Sequence, residues 1–293
     1  MSKPRVGFVG MGNMGWPMAK HVLGGGFALT AFDIDAGRVR RFTAETGAGG
    51  AASAAALAAA ADVVITMLPT GQVVREALLG EGGIARSLAR GAVVVDMSSS
   101  DPSGTRALGA ALGELGVALV DAPVSGGVRG AEAATLAIMI GGADEAAIAR
   151  VRPVLATMGA KLFRTGPLGS GHAMKALNNY VAAATFAATS EALLVGKRFG
   201  LAPAVMVEVL NASSGRNFHT DIVFPDHVVG GKFGAGFAIG LMAKDVGIAA
   251  ALAREIGVDS PLCSLTSELW NGARDALGPT EDFTAAYRHW AAR

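Results

Sequence analysis

The chain has 293 residues, a length that fits one large domain or two ordinary ones. With 51% hydrophobic and 17% charged residues it can bury a sizeable core, which excludes an intrinsically disordered chain. The formal net charge of +1 gives no electrostatic reason to expect binding to nucleic acid or to a membrane surface.

One cysteine and five scattered histidines limit the redox and metal chemistry of the chain. The single Cys263 excludes an internal disulfide and a cysteine-based metal cluster and fits a reducing cytosol, so we expect a cytoplasmic protein. The histidines show no metal-ligand spacing, and we expect no metal. The chain enters a strand-like run almost at once, and no uncharged run reaches the roughly 18 residues of a membrane helix. We therefore expect neither a signal peptide nor a membrane span.

Short apolar runs alternate with helix-like segments through the first half of the chain. The runs predict strands at Val6–Val9, Ala28–Phe32, Val63–Met67, Val93–Asp96, Ala118–Asp121 and Leu136–Ile140. Helical patterns between several of them cover Trp16–Leu23, Gly37–Glu45, Ser53–Ala60, Val73–Leu79 and Ser103–Leu115. This alternation predicts an α/β Rossmann domain with a doubly wound, mainly parallel sheet, whose ligand binds at the carboxyl ends of the strands.

The first strand leads directly into the Gly-x-Gly-x-x-Gly spacing of Gly10–Gly15. Gly10 allows a tight turn, Gly12 leaves room for backbone to approach a phosphate, and Gly15 lets the next helix pack closely on the strand. Because glycine makes up 41 of 293 residues, the spacing alone is weak, and a turn without a ligand is the alternative. The strand before it and the helix after it favour a dinucleotide pyrophosphate at the helix N-terminus.

Asp33 ends the second predicted strand roughly 20 residues further on, where dinucleotide-binding folds place an acid on the adenosine ribose. Its carboxylate should accept both ribose hydroxyls and repel a 2′-phosphate, so we predict NAD as the cofactor and NADP as the less favoured one. Arg38, Arg40 and Arg41 lie further along and are interpreted as a solvated helix face.

The pattern changes at the glycine-rich breaker Gly166–Gly171, after which strand signals nearly vanish. A long helix is predicted over His172–Arg198, and further helices at Ala202–Asn211, Met242–Ile256, Pro261–Asp275 and Phe283–Ala291. These observations predict a cofactor-binding domain over residues 1–164 and an all-α domain over 165–293, joined by the long interdomain helix. The almost continuous apolar face of that helix indicates burial against a neighbour, for which a second subunit is a candidate.

Three short stretches carry groups suited to catalysis, each with a plain structural alternative. Lys175 and Asn179 share one helix face, where a desolvated lysine can act as an acid or base, although its side chain could equally reach the surface. Ser125–Gly127 offers a hydroxyl and backbone N–H groups to a carboxylate, or forms an ordinary glycine turn. Lys244-Asp245 precedes a helix-like segment, with a salt-linked helix start as the alternative.

Four blocks in order, spread over nearly the whole chain, resemble the β-hydroxyacid dehydrogenase family, which includes 3-hydroxyisobutyrate dehydrogenase and tartronate semialdehyde reductase. They are Gly7–Ala19 with the cofactor signature, Asp121–Gly127 with the substrate block, Gly169–Asn179 with the catalytic block, and Lys244–Ala249 on the cofactor side of the cleft. The resemblance implies a Rossmann domain, a helical C-terminal domain, and a homodimer or homotetramer.

The resemblance also implies a role for each matching residue. Lys175 would be the catalytic acid/base and Asn179 would hold the substrate, while Lys244 would lie near nicotinamide and substrate. The substrate carboxylate would be bound by Ser125, Gly126 and Gly127. The cofactor would be contacted by Gly10, Met11, Gly12, Asn13, Met14, Asp33, Leu68, Pro69, Ser98 and Lys244.

The expected function is NAD-dependent oxidation of a small 3-hydroxy acid, with 3-hydroxyisobutyrate first and serine, threonine, glycerate or threonate open. A tartronate semialdehyde, glyoxylate or succinic semialdehyde reductase is the alternative within the family, and a catalytically silent NAD sensor is the alternative outside enzymes. The far wall of the substrate pocket is expected from Ser213–His219, where Arg216, Phe218 and His219 leave the side-chain preference open.

Overall fold

The computed structural model describes residues 3–292, which form two compact units. The first unit ends at Lys175 and the second begins at Ala176. The first is an α/β unit built on one sheet and the second is helical, which confirms the predicted fold class. The domain limit at residue 164/165 stays a prediction. No helix within the described residues is long and apolar enough to cross a membrane.

A single sheet forms the centre of the first unit. Within the described residues its strands are β1 (Val6–Val9), β2 (Leu29–Phe32), β3 (Gly49–Gly50), β4 (Val63–Thr66), β5 (Val93–Asp96), β6 (Ala118–Asp121), β7 (Val124–Ser125), β8 (Ala137–Gly142) and β9 (Lys161–Gly166). The order is β3-β2-β1-β4-β5-β6-β8-β7, with β9 also paired to β8. Strands β1 to β6 run parallel, whereas β8 is antiparallel to β6 and β7.

Both faces of the sheet are covered, which explains why its central strands are continuously apolar. Val63 and Ile65 of β4 pack into one core, while Val64 of the same strand packs into the core on the opposite face. The helices of this unit are α1 (Gly15–Gly24), α2 (Ala36–Thr46), α3 (Ala54–Ala59), α4 (Gly71–Leu79), α5 (Pro102–Glu114), α6 (Gly127–Glu132) and α7 (Glu145–Leu155). The carboxyl ends of β1, β2, β4 and β5 are therefore the sheet edge at which loops are free to bind a ligand.

The six predicted strands are present, three with the predicted limits and three with limits shifted by a residue or two, but several elements were not predicted. Strand β9 was missed because its exposed edge position gives a mixed sequence, with Phe163 half exposed. Helix α7 contains Pro153, which masked its helical pattern. The signal that could have revealed α7 is Asp144, whose carboxylate accepts the N–H groups of two first-turn residues.

The second unit is built from helices around an aromatic core. They are α8 (Ser170–Phe199), which begins in the first unit, α9 (Pro203–Asn211), a π-helix (His219–Val229), α10 (Ile239–Glu255), α11 (Pro261–Leu277), a 3-10 turn (Phe283–Ala285) and α12 (Ala286–Ala291). The π-helix was not predicted. The ring of Phe186 lies 5.0 Å from that of Phe224, 5.1 Å from Phe283 and 5.7 Å from Trp270, between ring centroids.

His219 belongs to this core, although the sequence left it open as a wall of the substrate pocket. Its side chain is buried, its Nε2 lies 2.9 Å from the Ala182 carbonyl oxygen, and its ring stands edge-on to Phe186. Burial lowers the pKa of His219 to about 4. The imidazole is therefore neutral near pH 7 and stabilises the core.

We expect acid to destabilise the protein through His219. Between pH 6.5 and about 4 the unfolded imidazole binds a proton that the folded one does not, so the free energy of unfolding falls as the pH falls through that window. Urea unfolding of the wild type and of His219→Gln across this range tests the assignment. The variant should lose a slope of up to about 1.4 kcal/mol per pH unit. Equal slopes for the two proteins would contradict it.

Candidate active site

In the glycine turn after β1, packing within the protein requires glycine at two positions, whereas the third glycine faces open space. A Cβ at Gly10, where φ is +99°, would collide with the Met67 carbonyl oxygen, and one at Gly15 would collide with the Gly10 carbonyl oxygen. A Cβ at Gly12 would meet no described protein atom within 4 Å. Protein packing thus explains the first and third glycines, while the open space at Gly12 fits the close approach of a phosphate. Helix α1 begins here without a side-chain cap from the described residues, which leaves its first N–H groups for an anion.

Asp33 is held firmly beside this turn. Its Oδ2 accepts the Met11 N–H at 2.6 Å and its Oδ1 accepts the Asp35 N–H at 2.9 Å, and the side chain is only 7% exposed. Arg38 was expected on a solvated face, but its guanidinium lies 3.8 Å from Asp33 Oδ2 and 3.5 Å from Asp35 Oδ2. That expectation was incomplete, because Arg38 is half exposed and also paired with the carboxylates at the end of β2.

The loops after β4 and β5 are joined by a buried carboxylate that the sequence did not single out. Ser98 Oγ accepts the Leu68 N–H at 2.9 Å, and the Ser98 N–H donates to Asp96 Oδ1 at 3.0 Å. Asp96 also accepts the hydroxyls of Thr66 at 2.9 Å and Ser100 at 2.7 Å. Sequence reasoning missed Asp96 because it read simply as the last residue of a strand.

The first unit therefore gathers the predicted cofactor residues, except Lys244, at one sheet edge. They are Gly10, Met11, Gly12, Asn13, Met14, Asp33, Leu68, Pro69 and Ser98, which follow the carboxyl ends of adjacent strands β1, β2, β4 and β5. Hydrogen bonds connect Met11 to Asp33 and Leu68 to Ser98. This edge is where parallel α/β sheets bind their ligands, and its open glycine and fixed acid fit a dinucleotide.

The stretch Ser125–Gly127 links β7 to α6. Ser125 is paired with Ala137 of β8, and the two following glycines have φ values of +134° and +60°. Side chains rarely adopt these backbone angles, so the turn needs glycine at both positions. Both glycines are exposed and Ser125 is half-buried. The turn interpretation is thereby supported, and the binding of a carboxylate stays a prediction.

Lys175 and Asn179 lie four residues apart on α8, on one face of the helix. Asn179 is buried, and its Nδ2 donates to Asp245 Oδ2 at 2.6 Å. Lys244 Nζ lies 3.0 Å from Asp245 Oδ1. The second unit thus brings Asn179 and Lys244 together through Asp245, a residue the sequence did not assign to the site.

Asp245 fixes the direction in which the Asn179 amide faces. With Nδ2 committed to Asp245, the Asn179 Oδ1 faces the other way and accepts the Asn178 Nδ2 at 3.1 Å. A salt-linked helix start was the alternative for Lys244-Asp245, but α10 begins at Ile239, so the pair lies within the helix. In the sequence, the signal that could have pointed to Asp245 is a carboxylate directly after Lys244 within an apolar, alanine-rich stretch.

The remaining candidates have structural partners. Arg216 forms an exposed ion pair with Asp221, with Nε 2.8 Å from Oδ2, and Phe218 is two-thirds exposed.

Burial raises the pKa of the Cys263 thiol, which keeps the group protonated. Within residues 3–292, no group of three or more His, Cys, Asp or Glu side chains is placed to hold a metal ion.

Comparison with known proteins relates the whole chain to dehydrogenases. Residues 5–166 match the NAD binding domain of 6-phosphogluconate dehydrogenase, and residues 169–290 match the family described as NAD-binding of NADP-dependent 3-hydroxyisobutyrate dehydrogenase. The chain is 39% identical over 272 residues to 3-hydroxyisobutyrate dehydrogenase of Pseudomonas aeruginosa, covering 91% of each. It is 37% identical over 286 residues to 2-(hydroxymethyl)glutarate dehydrogenase of Eubacterium barkeri, covering 98% of this chain and 94% of the relative.

The fold of a solved relative agrees with this similarity. A structure of 3-hydroxyisobutyrate dehydrogenase from Mycobacterium tuberculosis, described with L-serine, has a TM-score of 0.89 and 33% sequence identity. The match covers 99% of both chains. The similarity therefore extends over both units of the chain.

Asp245→Asn should impair catalysis more than it impairs folding. The substitution removes the carboxylate that orients the Asn179 amide and pairs with Lys244, so we expect catalytic efficiency in hydroxy-acid oxidation to fall by about 10- to 100-fold. The matched control is Asp275→Asn, which removes the carboxylate of the exposed neighbouring pair Arg274–Asp275. Steady-state kinetics on both variants test this. Equal efficiency of Asp245→Asn and the control would contradict the orienting role.

Proposed function

The chain belongs to the β-hydroxyacid dehydrogenase family and is an NAD(P)-dependent hydroxyacid dehydrogenase, and on that premise we propose that it oxidises a small 3-hydroxy acid with NAD. The observation that carries the proposal is the face of α8 on which Lys175 is followed one turn later by Asn179. The Asn179 amide is fixed by buried Asp245. A lysine beside an oriented amide is suited to hold a substrate hydroxyl and to exchange its proton.

In the proposed reaction Lys175 Nζ takes the proton of the substrate hydroxyl while the carbon that bears it loses hydride. Bound nicotinamide supplies the hydride acceptor. Asn179 holds the hydroxyl near the lysine, and Lys244 is proposed to contact the cofactor. Ser125, Gly126 and Gly127 bind the substrate carboxylate through a hydroxyl and backbone N–H groups. In the reverse direction the Lys175 ammonium polarises the carbonyl and returns the proton to its oxygen.

NAD is proposed as the cofactor on the environment of Asp33. A 2′-phosphate on the adenosine ribose would face this carboxylate, which two backbone N–H groups hold in place. Arg38 is the nearest cation recorded there, and it already pairs with Asp33 and Asp35. Accepting NADP would require Arg38 to exchange those partners for the phosphate while Asp33 still repels it, so NAD is favoured.

The substrate proposal is a small 3-hydroxy acid, with 3-hydroxyisobutyrate first. It is supported by the similarity to the two relatives, which are named for 3-hydroxyisobutyrate and 2-(hydroxymethyl)glutarate, and to the solved structure described with L-serine. Each of these three compounds carries a hydroxyl near a carboxylate. Serine, threonine, glycerate and threonate remain alternatives, as does reduction of a small semialdehyde. A cytoplasmic location is proposed from the single cysteine, whose thiol is buried.

A homodimer or homotetramer is proposed from the exposed apolar side chains of α8. Leu177, Val181, Val195 and Phe199 are 42%, 57%, 70% and 84% exposed on this helix. Their spacing places Leu177 and Val181 on one stripe, to which exposed Ala188 and Val195 also belong. Exposed apolar side chains in such a row favour burial against a second copy of the chain.

Lys175→Met should abolish turnover and leave cofactor binding in place. The substitution keeps a long side chain but removes the group that exchanges the proton, so we expect kcat to fall by at least about 1000-fold. The dissociation constant for NAD, measured by calorimetry, should change by less than about threefold. Residual turnover near the wild-type rate would remove Lys175 from the mechanism, whereas unchanged NAD binding separates this loss from misfolding.

Val181→Glu should weaken self-association, because it places a charge in the apolar stripe of α8. Analytical ultracentrifugation of the wild type should give a dimer or tetramer, and the variant should shift toward the single chain. Val73→Glu is the control, since Val73 is similarly apolar and 41% exposed on α4 of the first unit. A monomeric wild type, or the same mass for Val181→Glu and the wild type, would contradict the proposed interface.

A further inference from the structure

The first turn of α8 is anchored to the end of β6 by one buried carboxylate. Asp121 Oδ1 accepts the Gly169 N–H at 2.8 Å and its Oδ2 accepts the His172 N–H at 2.9 Å. Asp121 is fully buried. A Cβ at Gly171 would collide with the Met139 carbonyl oxygen of β8 and lie 2.8 Å from Asp121 Oδ2. The start of α8 is therefore pressed against the end of β6 and the middle of β8 with no room for a side chain at Gly171.

The stretch proposed to bind the substrate carboxylate follows β6 in the chain and pairs with β8. Asp121 is the last residue of β6, and Ser125 follows four residues later on β7. β7 is paired with β8 at Ser125 and Ala137, and the Met139 N–H donates to the Pro123 carbonyl oxygen at 3.0 Å. Ser125 is thus connected to Asp121 by four residues of chain, and Asp121 is connected to the start of α8 by two hydrogen bonds. The pairing of β7 with β8 holds the same stretch in place.

The His172 side chain extends this junction toward the loops proposed to contact the cofactor. It is buried, with Nδ1 2.8 Å from the Thr105 hydroxyl and Nε2 3.6 Å from Asp96 Oδ2. Asp96 in turn holds the Ser98 N–H, and Ser98 holds the Leu68 N–H. A series of polar contacts therefore runs from the cofactor-side loops to the backbone of α8, in which the step from His172 Nε2 to Asp96 is a close approach and not a hydrogen bond.

Lys175 lies three residues after His172 on the same helix, so the two side chains are neighbours along one face. A rotation or shift of the first turn of α8 would displace the lysine ammonium directly. Displacing a catalytic group by about 1 Å can cost roughly 100-fold in rate. The position of Lys175 therefore depends on the hydrogen bonds that hold the first turn of α8 to Asp121.

We propose that Asp121 is a positioning residue, which together with His172 holds Lys175 at the distance from substrate and cofactor that the reaction requires. Asp121 acts on Lys175 through the backbone N–H groups of Gly169 and His172 and not through the substrate. The proposal rests on the proposed role of Lys175 as the acid/base.

The test compares Asp121→Asn with Asp144→Asn. Both carboxylates accept two backbone N–H groups at the start of a helix, and Asp144 does so at α7, with distances of 2.8 Å to Ala146 N and 3.1 Å to Ala147 N. An asparagine can accept from one N–H but presents its own N–H₂ group to the other. Both variants should therefore melt at a lower temperature than the wild type.

Only Asp121→Asn should slow the chemical step. We expect its kcat to fall by about 100-fold, with the KM values for hydroxy acid and NAD within about threefold of wild type. The primary deuterium isotope effect on kcat, measured with substrate deuterated at the carbinol carbon, should rise because hydride transfer becomes rate-limiting. Asp144→Asn should keep the wild-type kcat and isotope effect. A folded Asp121→Asn variant with wild-type kcat, or an equal loss in Asp144→Asn, would overturn the proposal.

His172→Gln provides a second variant if Asp121→Asn does not fold. It keeps the backbone N–H bonded to Asp121 but removes the imidazole between Thr105 and Asp96, so kcat should fall by about 10-fold without loss of NAD binding. An unchanged kcat in this variant would overturn the part assigned to His172, and with no folded Asp121→Asn it would overturn the proposal. Lys175→Met distinguishes failure of the proposed function from failure of the positioning role. An active Lys175→Met enzyme refutes Lys175 as the acid/base. An inactive Lys175→Met enzyme together with a fully active Asp121→Asn enzyme refutes only the positioning role of Asp121.

Discussion

Carboxylates at the ends of parallel strands hold the loops of the first unit in place. Asp33 follows β2 and accepts the Met11 N–H of the glycine turn, Asp96 ends β5 and accepts the Ser98 N–H, and Asp121 ends β6 and accepts two N–H groups of the α8 start. Loops at this edge need partners for backbone N–H groups that no strand provides. A carboxylate can accept several such bonds at once, which makes it an effective anchor for irregular backbone.

Burying these charges has a cost that their hydrogen bonds must offset. Asp96 is 1% exposed and accepts three hydrogen bonds, from the Thr66 hydroxyl, the Ser98 N–H and the Ser100 hydroxyl. Hydrogen bonds to a charged acceptor contribute about 1.5–3 kcal/mol each after exchange with water is included, so several of them together stabilise a buried carboxylate. The gain for the protein is a set of loops with one geometry, which a site for hydride transfer requires.

The parts of the fold that follow from local pattern were predictable. β4 and β5 are buried on both faces and read as continuous apolar runs, and the glycine turn with Asp33 has a fixed spacing. Contacts between residues distant in sequence were not predictable. Asp96 and Asp121 looked like ordinary strand ends, because nothing local shows which backbone N–H groups they will meet. Similarly, the burial of His219 depends on the aromatic cluster that the second unit assembles around it.

The initial rates of NAD and NADP reduction, followed by nicotinamide absorbance, decide whether the protein oxidises a small 3-hydroxy acid with NAD. The panel holds both enantiomers of 3-hydroxyisobutyrate together with glycerate, serine, threonine and threonate. We expect one acid to be oxidised far faster than the others, with a higher kcat/KM for NAD than for NADP. A higher kcat/KM for NADP would contradict the role given to Asp33. If no acid in the panel is oxidised and a small semialdehyde is rapidly reduced instead, the proposed oxidation of a 3-hydroxy acid is contradicted.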